Sequence, residues 1–182
     1  MAATYPNLYA AVGINAGGAY SDFSCIGANS AMTAEESATL AAEEMGSHGR
    51  VIPRLVMGGD ADQGIPPACA DKALEQGLRD NNLVLGSSQE SPISLAPTAS
   101  REVAAGTDDG YSSTVSNYKD PNGCLIGQRW LIHGMNHFWP GGTDNPAYKN
   151  FTDPKGPDGA EISWNFFRRF TKKGTAMPCA TK

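Results

Sequence analysis

The sequence lacks a long apolar run, an excess of basic charge and any closely spaced pair of cysteines. Each absence excludes a class of function. No stretch approaches the roughly 18 to 20 apolar residues of a membrane-spanning helix, and mean hydropathy is −0.35 with 40% hydrophobic residues. A soluble chain with no membrane partner is expected. Lysine and arginine number 14 against 19 aspartates and glutamates, for a net charge of −5 and a pI near 5.1. Phosphate recognition needs a basic face, so this balance argues against nucleic acid as a partner. The four cysteines, Cys25, Cys69, Cys124 and Cys179, form no CxxC pair, which argues against structural zinc. Their even number fits two disulfides of a secreted protein, with three possible pairings, or else four buried thiols.

No internal repeat is present, and 182 residues is an ordinary length for one domain. The 21 glycines and 12 prolines fall in scattered pairs without a period, as in turn-rich globular proteins. Met1 to Pro6 has neither the basic start nor the apolar centre of a secretory signal. It reads as the last turn of a helix stopped by Pro6, with no capping residue before it.

Leu8 to Asn15 is apolar at nearly every position, the pattern of a parallel strand buried on both faces. Thr33-Ala34-Glu35-Glu36 forms a capping box and starts a helix that runs to about Met45. Val51 to Met57 reads as a second buried strand. Ala70, Ala73, Leu74, Gly77 and Leu78 recur at helical spacing, and Asn81-Asn82 ends that helix. Residues 86 to 110 carry no clear period and read as an irregular excursion. Tyr111 to Tyr118 and Leu125 to His133 are strand-like and flank Asp120-Pro121-Asn122-Gly123, which is hairpin chemistry. A further capping box at Asp158 to Glu161 opens a last helix with Ile162, Phe166 and Phe170 on one face; Arg168, Arg169, Lys172 and Lys173 fall at its negative end. The alternation predicts an α/β fold with a mostly parallel sheet and a late β-hairpin.

In such sheets, chemistry gathers in the loops after the carboxyl ends of the strands. Asp60 and Asp62 follow the second strand, and an acid there can orient a histidine. His137, between Asn136 and the aromatic pair Phe138 and Trp139, is suited to general base work near neutrality. Turn chemistry for the aspartates and a packing role for the histidine are the plainer readings of each alone. The order, acid and then histidine on successive late loops, is that of sheet-based hydrolase triads.

Tyr5 to Gly13, Gly59-Asp60-Ala61-Asp62-Gln63-Gly64-Ile65-Pro66, Gly134-Met135-Asn136-His137-Phe138-Trp139-Pro140-Gly141-Gly142 and Gly156 to Glu161 resemble the late half of a poly(3-hydroxybutyrate) depolymerase family esterase, an α/β-hydrolase. The resemblance spans nearly the whole chain and implies the C-terminal half of a three-layer α/β-hydrolase sandwich, with residues 1–182 a single partial domain. It implies Asp62 as triad acid, with Asp60 as fallback, and His137 as general base. Phe138 and Trp139 would wall an ester or polyester pocket. It further implies a serine-type hydrolysis of carboxylic esters through an acyl-enzyme, in an extracellular protein, with no metal and no cofactor. The family's G-x-S-x-G nucleophile elbow is absent; Gly13-Ile14-Asn15-Ala16-Gly17 places a carboxamide where the serine would stand. The nucleophile and oxyanion hole are therefore expected in a missing N-terminal half, and the chain alone is expected to be inactive. The other readings are a non-catalytic polyester- or glycan-binding module centred on Trp139, and an inert fragment.

Overall fold

The structure, a computed structural model, describes residues 1–27, 31–86 and 93–175. Five strands make the central sheet: β1 (Val12–Asn15), β2 (Arg54–Gly59), β3 (Ala99–Val103), β4 (Ser113–Lys119) and β5 (Leu125–Ile132). Their spatial order is β1-β2-β5-β4-β3. β1 and β5 both pair parallel with β2, while β4 runs antiparallel to β5 and to β3. The chain is thus mixed α/β, with four of five strands pointing the same way.

Alternation along β2 places its side chains on two opposite cores. Leu55 and Met57 join Val115 and Trp130 against Ile162 and Phe166 of α3 (Gly159–Phe167). Val56, on the other face, joins Ile126 against Ala70, Leu74 and Leu78 of α2 (Pro67–Leu85). α1 (Ala34–Met45) packs beside α2, with Ala38 and Ala41 fully buried. Two-faced burial is why Leu55, Val56 and Met57 are apolar in succession. Short pairs complete the chain: β6 (Trp139–Pro140) with β7 (Thr152–Asp153), and β8 (Phe170–Thr171) with β9 (Gly174–Thr175).

Local chemistry explains the boundaries. Thr33 and Glu36 close the expected capping box, with Glu36 N–H on Thr33 Oγ1 at 3.1 Å and Thr33 N–H on Glu36 Oε2 at 2.8 Å. The hairpin turn is present at Asp120 to Gly123, where Gly123 takes a φ of 81°. α3 starts at Asp158, whose carboxylate accepts from the amides of Ala160 and Glu161.

Four expectations need correction. α2 continues past Asn81-Asn82 to Leu85, because those side chains are used by neighbours: Asn81 bonds both backbone groups of Ile52, and Asn82 both of Ile93. Residues 99–103, expected to be irregular, form the edge strand β3; its side chains are mostly exposed, so no apolar alternation marked it. The first strand is shorter than the apolar run and lies at the sheet's other edge, with Leu8 57% exposed. The last helix ends at Phe167, so Phe170, expected on its apolar face, lies in β8, with its ring against that of Phe166.

Cys25 and Cys69 are joined in a disulfide that ties a 3-10 turn (Phe23–Gly27) to the start of α2. Cys124 is disulfide-bonded as well, and Cys179 lies outside the described residues. The four-thiol reading is excluded. No described helix is long and apolar enough to cross a membrane.

Arg54 and Asp80 form a buried ion pair at 2.5 Å, flanked by Gln76. Burial pushes the Asp80 carboxyl up to about 6 against the pull of Arg54. A carboxyl raised on folding stabilises the native state below its ordinary value, and that contribution is lost as pH rises through about 6. Asp80→Asn should remove this pH-dependent component, measured as the wild-type-minus-variant difference in urea unfolding. Asp80→Ala leaves the guanidinium buried without its counter-ion and should lower the unfolding free energy by about 3–5 kcal/mol at neutral pH.

Candidate functional site

The parallel register sets Gly59, the last residue of β2, beside Ile132, the last of β5. The ladder continues into both exits: Asp60 N–H bonds Ile132 O at 3.0 Å, and Ala61 N–H bonds Met135 O at 3.2 Å. A Cβ at position 59 would lie 1.8 Å from Met135 O, so only glycine permits this approach. The acid loop and the histidine loop therefore leave the sheet side by side. Asn136 stitches them further, its Oδ1 accepting from Gln63 N–H at 3.2 Å and His137 N–H at 2.8 Å.

Asp62 and His137 meet across these loops. Asp62 Oδ2 stands 2.9 Å from His137 Nδ1, and Asp62 Oδ1 accepts from the amides of Gly64 and Ile65, each at 2.8 Å. The carboxylate is thus buried and fully partnered; its side chain is 1% exposed, that of His137 52%. An ionised carboxylate only accepts, so the neutral imidazole places its proton on Nδ1 and leaves Nε2 as a base. Nε2 makes no hydrogen bond among the described residues. Gly64 allows the ring to lie close: a Cβ there would be 3.3 Å from His137 Cγ. A buried acid, an oriented ring and an accessible nitrogen can move a proton to and from a hydroxyl presented from outside.

Asp60, the fallback acid, does not bond His137. It is paired with His133, Oδ2 to Nδ1 at 2.8 Å, and its Oδ1 accepts Gly134 N–H at 2.7 Å. Burial opposes its ionisation, but the Gly134 amide and His133 outweigh that and hold the carboxyl below its usual range. Phe138 is half-buried, and its carbonyl accepts from Asn15 Nδ2 at 3.1 Å. Trp139 is 37% exposed and sits over Gly159 at the start of α3. Asn15 thus ties the end of β1 to the histidine loop. His133 and Asn136 escaped the sequence reading, although Asp60-x-Asp62 opposite His133-x-x-x-His137 was a readable doubling of acid and histidine. No group of three His, Cys, Asp or Glu that could hold a metal ion occurs among the described residues.

No family model matches the chain, and no curated protein matches it.

Two outcomes follow from this geometry. Asp62→Ala should abolish the hydrogen-exchange protection of the Gly64 and Ile65 amides, whereas Asp62→Asn, which keeps an acceptor oxygen, should retain most of it. Because the Asp60 carboxyl is lowered on folding, its stabilisation is present at neutral pH and is lost as pH falls through the lowered value. Asp60→Asn should therefore lower the melting temperature at pH 7, and the difference from wild type should vanish in strong acid.

Proposed function

We propose that this chain carries the acid and the base of a serine-type carboxylic ester hydrolase of the poly(3-hydroxybutyrate) depolymerase family, with an α/β-hydrolase sheet. The observation that carries the reading is the bond between buried Asp62 and exposed His137 at the ends of two adjacent parallel strands. The edge position of β1 supports it, since further strands of a hydrolase sheet would pair there. The disulfide is consistent with an extracellular protein.

In this reading a serine on a segment that completes the sheet attacks the ester carbonyl. His137 Nε2 takes the hydroxyl proton and returns it to the leaving alcohol; Asp62 holds the ring and stabilises the imidazolium. Water, activated by the same nitrogen, then releases the acid. The oxyanion donors come from the serine-bearing segment. Exposed Trp139 would lie at the acyl side of the site.

The test joins the chain to a segment bearing a G-x-S-x-G elbow and follows hydrolysis of p-nitrophenyl butyrate. His137→Ala and Asp62→Asn should each lower kcat by about 10³- to 10⁴-fold. The isolated chain should show no turnover above background. Full activity in Asp62→Asn removes the acid assignment, and turnover by the isolated chain that disappears in His137→Ala contradicts an external nucleophile.

A further inference from the structure

A second histidine lies four residues before His137, and both of its ring nitrogens have partners. His133 Nδ1 faces Asp60 Oδ2 at 2.8 Å, and Nε2 faces Thr114 Oγ1 at 2.8 Å. The Thr114 hydroxyl donates to Glu102 Oε1 at 2.6 Å, and its proton is thereby used. Thr114 can then only accept from Nε2, just as the Asp60 carboxylate can only accept from Nδ1. Both ring nitrogens are thus placed to donate, with Glu102 Oε2 a further 3.6 Å from Nε2.

The position of this ring matters as much as its partners. Asp60 leaves β2 two residues before Asp62, and His133 leaves β5 four residues before His137. Glu102 belongs to β3 and Thr114 to β4, so one ring joins the ends of four strands. Asp60 Oδ1 also holds Gly134 N–H, against which the Tyr111 ring packs. The titratable groups facing His133 are thus Asp60 and Glu102, with Tyr111 beside the following glycine.

We propose that His133 is a positioning residue: a protonated clasp, bound by Asp60 and Glu102, that fixes the strand ends from which Asp62 and His137 project. Its relevance to catalysis rests on the hydrolase reading, in which His137 acts as the base. The Asp62–His137 bond itself can be observed without any turnover.

The experiment is nitrogen-15 and proton NMR of the chain labelled at histidine, with His137→Ala assigning the Nδ1–H resonance of the dyad. At pH 6, His133 should show two protonated ring nitrogens. As pH rises and His133 loses its second proton, exchange of the His137 Nδ1–H with water should accelerate at least fivefold. In Glu102→Gln that transition should move to lower pH, since one of the two anions is gone. Thr114→Val, which removes the acceptor while preserving shape, and His133→Gln should each show the fast exchange already at pH 6. The proposal is overturned if His133 is singly protonated while the four-strand contacts persist, or if both variants fold and leave the His137 resonance and its exchange unchanged. Failure of esterase activity in the completed enzyme would remove the hydrolase reading and leave these NMR results as they stand.

Discussion

The parallel pairing of β2 with β5 is the constraint on which the rest of the molecule depends. It brings two strand ends level that are far apart in sequence, and Gly59 lets the chain after Ile132 fold back against it. Two further main-chain hydrogen bonds extend the ladder past both strands, so the loops inherit the sheet's rigidity. Side chains with strict geometric demands are placed best on such supports, because a displacement of about 1 Å is costly for proton transfer.

Burial of charge is handled in two different ways. Asp62 is enclosed, but each oxygen has a partner: two amides on one and an imidazole on the other. Asp80 is enclosed with Arg54 and Gln76 crowded on a single oxygen, leaving Asp80 Oδ1 and Arg54 Nε without partners among the described residues. The first arrangement leaves a carboxylate fully partnered and aimed at the ring. The second holds α2 to the sheet at the cost of an incompletely satisfied pair.

Much of this was legible in the sequence, for identifiable reasons. α1 begins and ends where Thr33, Glu36 and Met45 place it, since capping is local chemistry. The hairpin between β4 and β5 follows from Asp120-Pro121-Asn122-Gly123 in the same way. Asp62 and His137 were legible as separate candidates, and the fold brings them together. What escaped depends on contacts between distant segments. β3 is an exposed edge whose apolar residues are Ala99 and Val103 alone, and α2 outlasts its asparagines because Ile52 and Ile93 take up their amides. His133 was hidden because it looked like the end of a strand; its partners come from three other strand ends.

A crystal structure of the chain joined to an elbow-bearing segment and treated with an alkyl phosphonate ester tests the central claim most directly. The account predicts a phosphonyl group on the elbow serine, with His137 Nε2 within about 2.6–3.2 Å of the serine oxygen or the phosphonyl oxygen and Asp62 still on Nδ1. A phosphonylated residue remote from the dyad, or a His137 ring turned away from the labelled serine, would contradict it.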